Sequence, residues 1–174
     1  MTWTAPAVER AEPIYVAGER TSLQEFLDYH RQTLLWKCSG LTGEQLAARP
    51  IPGSSLSLLG LVRHLSYVQR VWLRVRVAAQ PDLGDLYCTP EHPDAEFDFA
   101  APGAAEADFA TFARECAAAD EAVAGRSLDD TFVHPRSGDT ISVRWVYTHL
   151  IEEFARHNGH ADLIREQIDG RTGE

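Results

Sequence analysis

Cysteine is scarce in this chain: its 174 residues hold three, Cys38, Cys88 and Cys116. They form no CxxC pair, and an odd number cannot close into a disulfide framework, so a reducing, cytoplasmic compartment is expected. Long apolar runs are missing as well. No uninterrupted stretch approaches the ~20 residues that a membrane span requires, and Glu9, Arg10 and Glu12 break up the N-terminal region before a leader's apolar run can form. A membrane partner is therefore not expected. Nor is there a basic excess: 16 Lys and Arg stand against 26 Asp and Glu, a formal net charge of −10. That balance argues against nucleic acid, whose binding rests on clustered cations meeting phosphate. The densest basic stretch, Arg63 to Arg76, interleaves its arginines with apolar residues along one helix. It is expected to be a solvated face with arginine stems packed on the core rim. A Gly-rich phosphate loop, a GxSxG elbow, internal repeats and low-complexity tracts are all absent. None of the cysteines has a histidine at a useful local spacing, and Cys38 and Cys116 fall on apolar helix faces, so a cysteine nucleophile is weakly supported.

What remains is an ordinary globular composition, 44% hydrophobic and 24% charged, at a length suited to a single domain, residues 1–174, with one core. Residues 1–19 show no sustained period and read as an extended arm, packed on the body through Trp3, Ile14 and Tyr15. A first helix opens at a Thr21 or Ser22 cap, carries Leu23, Phe26, Leu27, His30, Leu34 and Leu35 at helical spacing, and stops at Ser39-Gly40. Thr42-Gly43-Glu44-Gln45 starts a short turn of helix that the prolines at 50 and 52 end. A second long helix, about Ser57 to Ala79 with Ser54 or Ser55 as cap, places Leu61, His64, Val68, Val71 and Val75 on one inward stripe. Residues 81–104 turn proline-rich and acidic, a crossover whose aromatics suggest that part of it packs down as a lid. A third long helix runs from about Glu106 to Ala124. Two β-branched runs around Ser137-Gly138-Asp139 predict a small hairpin, after which Ser142 or Val143 starts the last helix. Four long helices with one crossover predict an all-α, four-helix bundle.

The last helix carries the chemistry. In WVYTHLIEEFARHNGHADLIREQI, Val146, Leu150, Phe154, Ala161, Ile164 and Ile168 recur at helical spacing. At about 100° per residue, Glu153 and His157 fall inside the apolar arc, and His149 and His160 near its rim. An ionisable pair four apart on the buried side needs a partner, because an unpaired buried charge costs several kcal/mol or more. A divalent ion would serve. Glu153 and His157 can converge on one ion, and His64 is the inward histidine of the second helix, which gives two imidazoles and one carboxylate with coordination positions left open. The bland alternative stays open: His64 as a satisfied core histidine, and Glu153 paired with an arginine. His160, near His157, is a candidate to orient a ligand or act as general base, or else an exposed rim residue. His149 is an alternative ligand, and His30 a candidate contact behind the ligands. Tyr67, Trp36 and Trp72 are candidate cavity walls for which core packing is the plainer reading, and His92 and His134 are expected to be exposed.

The histidine in LVRHLSYVQRVW and the later EEFARHNGHAD resemble the DinB-like superfamily, which includes the metal-binding domain of mycothiol-dependent maleylpyruvate isomerase and bacterial thiol S-transferases. That family commonly shows HxxxHRGQ in its last helix. Here Glu153 stands at the first position, as in the isomerase branch, and Asn158-Gly159-His160 follow His157. The resemblance spans the first long helix to the last. It implies an up-down-down-up bundle, frequently a homodimer, that holds zinc, nickel or a similar divalent ion through His64, Glu153 and His157. The reaction expected on these grounds is transfer or isomerisation using a low-molecular-weight thiol of the mycothiol or bacillithiol type. The competing expectation is a non-catalytic, stress-related bundle whose metal is structural.

Overall fold

The computed structural model describes residues 2–173, so Met1 of the arm and Glu174 lie outside the described residues. The chain is mostly helical. Helix α1, Glu19–Cys38, starts at Gly18, which offers no side-chain cap, rather than at Thr21 or Ser22. Tertiary contacts extend its first turn. Arg20 donates to the carbonyls of Val123 and Arg126 (both 3.0 Å) and lies over the Tyr147 ring, while Glu19 accepts from Arg144. The short α2, Gly43–Ala47, opens with a reciprocal cap in which Thr42 and Gln45 satisfy each other's backbone N–H. Helix α3, Leu58–Gln69, is capped by Ser57, whose hydroxyl accepts from the Gly60 N–H at 3.0 Å; the expected caps Ser54 and Ser55 precede it. It continues without a break as a π-helix, Arg70–Val77.

The 81–104 crossover contains helical turns, among them α4, Ala95–Asp98, and it folds back onto α3. Helix α5, Ala105–Val123, follows. Strands β1, Thr131–Val133, and β2, Thr140–Ser142, make the expected antiparallel hairpin with Phe132 opposite Ile141. Helix α6, Val143–Asp169, is capped by Ser142 and ends on Gly170 in the left-handed conformation (φ 76°), where glycine lacks the Cβ penalty. Helix α6 packs along α1, and α3 packs against both α5 and α6. Leu27, Leu34, Leu61, Leu65, Phe112, Tyr147, Leu150 and Phe154 fill the core between them.

Two expectations are corrected. The basic stretch is not a solvated face. Arg63 is buried, donates to Asp108 (3.3 Å) and to the Ala95 carbonyl, and stacks on Tyr87 at 4.1 Å; Arg70 and Arg74 grip the buried Glu115 at 2.9 and 2.7 Å. Buried acids on α5 draw these arginines inward, since each charge offsets the cost of desolvating the other. The arm does dock through Trp3, edge-on to Phe109 at 5.3 Å, and Ala5 exchanges hydrogen bonds with Leu41 and Gly40. Ile14 and Tyr15, however, remain 53% and 94% exposed. Arg10 holds that part of the arm instead, lying over the Tyr29 and Trp36 rings, with the Ala11 N–H donating to Gln32.

Candidate metal centre

Helix α6 presents Glu153 and His157 one turn apart on the side facing α3, and His64 of α3 meets them there. The His157 Nε2 lies 3.6 Å and the His64 Nε2 4.0 Å from the same Glu153 oxygen, Oε2. The two imidazoles stand edge to face with centroids 4.7 Å apart. One donor atom from each of the three residues falls within a 4.8 Å sphere of mutual separation. These distances are too long for hydrogen bonds, so the three atoms converge without bonding one another. Bonds of about 2.1 Å around a tetrahedral ion would hold its ligands about 3.4 Å apart, close to the spacing seen. Burial, then the neighbouring His64 and His160, pushes the His157 pKa down to about 4. At neutral pH it is an uncharged imidazole, which cannot ion-pair with Glu153 but can ligate. The donor set suits a divalent cation.

The outward nitrogens are held too. The His64 Nδ1 meets Glu96 Oε1 at 3.1 Å, and the Cys88 thiol donates to the other Glu96 oxygen at 2.6 Å. A proton on His64 Nδ1 leaves Nε2 bare toward Glu153. Phe97 stacks on the far face of the His64 ring at 5.3 Å. Its position is fixed by Arg49, which donates to the Phe97 carbonyl, and by Gly60, where a Cβ would come within 2.7 Å of the ring. On α6, His160 Nδ1 lies 3.2 Å from His157 Nδ1, on the opposite ring edge from Glu153.

Glu96, Phe97 and Cys88 went unread in the sequence as parts of a site. They sit in an acidic crossover without period, where the scattered aromatics were the available signal. Burial and the Glu96 carboxylate push the Cys88 thiol up to about 12, so it is a proton donor rather than a nucleophile.

The remaining candidates lie elsewhere. His149 packs against Trp72 (4.8 Å) and Trp145 (4.9 Å), faces Glu152 at 3.4 Å, and shares with Glu152 and Glu153 a second converging donor group. His30 receives Asn158 on its carbonyl at 3.0 Å and so touches the neighbour of a candidate ligand, not the ligand. Trp36 lies under Arg10 and Lys37 in the last turn of α1. His92 is exposed, whereas His134 is half-buried against Trp72, because the hairpin folds over the π-helix. A cavity of about 250 Å³ between Trp36, Lys37, Arg165 and the C-terminal residues includes none of the cluster. Its Lys37 and Arg165 are already paired with Asp162 and Asp169.

A family model described as mycothiol-S-transferase matches residues 22–170, from the first turn of α1 to the residue that caps α6. No curated protein matches the chain. No solved structure matches it either. With most of its length inside that model, this chain belongs to the mycothiol S-transferase family of the DinB-like superfamily.

Proposed function

We propose that this protein is a metal-dependent transferase that uses a low-molecular-weight thiol of the mycothiol type, with His64, Glu153 and His157 holding a divalent ion, zinc or nickel. The observation that carries the reading is the convergence of two imidazole nitrogens and one carboxylate oxygen at separations too long for hydrogen bonds. The family match supports the thiol. A divalent ion bound there supplies Lewis acidity that lowers a thiol's pKa, so that sulfur reacts as thiolate at neutral pH. The chain's own residues do the rest. Glu153 adds the negative charge that keeps the centre from carrying a full dication. Glu96 fixes the His64 tautomer from behind, and Phe97 walls one side against water. The thiol S–H loses its proton to solvent, a sulfur–carbon bond forms at the electrophile, and the leaving group departs with its bonding pair. His160, facing the Nδ1 of His157, serves in this scheme to hold that ligand's orientation.

The same reading includes the DinB-like four-helix arrangement of α1, α3, α5 and α6, supported by the packing of α1 on α6 and of α3 on α5. It also includes a homodimer, supported by exposed Ile14, Tyr15 and Phe26 around one groove; sedimentation at twice the 19.3 kDa chain mass is expected. Elemental analysis of tag-free protein tests the centre. One divalent ion per chain is expected, lost in His64→Ala and His157→Ala. Unchanged metal content in both variants would remove the site assignment. Consumption of an alkylating electrophile that requires both metal and mycothiol tests the reaction, and its absence in metal-loaded protein would favour the non-catalytic bundle.

A further inference from the structure

Between Leu58 and Val77 the chain carries four arginines, and three of them point at α5 or its approach: Arg63 at Asp108, Arg70 and Arg74 at Glu115. Arg76 turns the other way. Its guanidinium lies 3.9 Å over the Trp72 ring, toward α6 and the hairpin. Arg136 stands in the hairpin turn two residues after His134, whose ring stacks on the same Trp72 at 5.8 Å, and its positive charge, second to burial, holds the Arg76 pKa below the ordinary arginine value. Among the described residues, neither guanidinium has a carboxylate within 4.0 Å. Two like charges beside one half-buried aromatic wall raise the energy of the site, and an anion placed near both lowers it.

The wall adjoins the metal centre. Trp72 touches His149 (4.8 Å), Trp145 (5.4 Å) and His134 (5.8 Å), and His149 shares a donor group with Glu153. The backbone under Trp72 and Arg76 is the π-helix, a form that carries an extra residue per turn and is concentrated at functional sites.

We propose that Arg76 and Arg136, backed by Trp72, form a subsite for the carboxylate or phosphate group of a small substrate whose reacting end lies at the neighbouring metal centre. The placement beside the metal rests on the proposed function above; the anion site itself rests on the arginines. A planar carboxylate can take parallel hydrogen bonds from each guanidinium while its carbon chain lies along Trp72.

Calorimetric titration with succinate and with inorganic phosphate, at about 0.15 M ionic strength to screen loose surface attraction, tests the subsite. Wild type is expected to bind at least one of the two saturably, the tighter naming the group. Affinity should fall about tenfold to a hundredfold in Arg76→Gln/Arg136→Gln, the scale of losing charge-assisted hydrogen bonds. Arg76→Lys, which keeps the charge and loses the planar fork, should fall in between, and Arg114→Gln, on the exposed side of α5, should match wild type. No saturable binding by wild type, or equal binding by the double variant, overturns the inference. Metal content and circular dichroism measured on the same samples separate the failures. Arginine-dependent anion binding by a protein that takes up no metal would sink the metal reading and leave the subsite; one ion per chain with no anion binding would sink the subsite alone.

Discussion

Glu96 is 4% exposed and has no Lys or Arg bonded to it among the described residues; a histidine nitrogen and a thiol take its place. A buried carboxylate costs free energy unless its oxygens are satisfied, and here each oxygen has one partner. Its removal leaves the fold's larger contacts in place but frees the His64 ring to rotate. Glu96→Ala is therefore expected to weaken metal binding about 10- to 100-fold, measured by chelator competition, with one ion still bound at saturation. Unchanged affinity would show that Phe97 and the helix alone orient His64. At the same scale, His157 has a pKa lowered from 6.5 to about 4. In metal-free protein the unfolded chain binds the proton first, so acidification from about pH 6.5 to 4 favours unfolding, and below that window both states are protonated and the effect levels off. Urea unfolding of metal-free wild type and His157→Gln should show this as a difference in slope confined to that window. Parallel curves would contradict the shift.

At the scale of elements, α6 was the most legible part of the molecule. Its serine start follows from capping preference and its i, i+4 pair of candidate ligands from 3.6-residue periodicity, and so does the position of His64 on α3. Local rules of that kind could not reach the partners supplied by chain crossing. Arg63 reads as a surface residue until Asp108 is seen to bury it, and Glu96 reads as one acid among many until the crossover lays it on His64. The π-helix was hidden for a different reason: the 3.6-residue stripe runs on through Val71 and Val75, as in an uninterrupted α-helix, whereas the wider turn buries Leu73 and Val77 and leaves Val71 and Val75 half-buried. The crossover's seating depends on one further tight contact. Gly43, the first residue of α2, lies so close to Pro102 that a Cβ would meet its carbonyl oxygen at 2.4 Å, and the obstacle is backbone, which cannot swing aside. Gly43→Ala is expected to cost about 1–3 kcal/mol, the range for overpacking. Denaturant titration would read this as a lower midpoint at constant slope, and a midpoint equal to wild type would mean that the crossover shifts freely.

At the scale of the whole molecule, a single polar knot joins all four long helices away from the metal centre. Arg31 of α1 is buried; it donates to Gln69 at the end of α3 (3.1 Å) and to Asp28 and Asp120, the latter on α5 (2.8 and 2.9 Å). Gln24 bonds the same two aspartates and accepts from the Tyr147 hydroxyl of α6 at 2.9 Å. Such a knot specifies how the helices are set against one another more than it stabilises them, since apolar packing could replace the buried charge at little loss. The two aspartates are about two-fifths exposed and can return to water when Arg31 is removed; Gln69 is fully buried and cannot. Arg31→Ala thus leaves a cavity and an unsatisfied amide, and should lower stability by about 1–3 kcal/mol, or roughly 2–12 °C in Tm for a chain of this size. Arg31→Met, which refills the cavity, should recover part of that loss. Both variants should keep the metal stoichiometry of wild type, because Arg31 touches none of His64, Glu153 or His157. A variant that stays folded yet loses its metal would show that the knot sets the distance between α3 and α6, and hence the geometry of the centre itself.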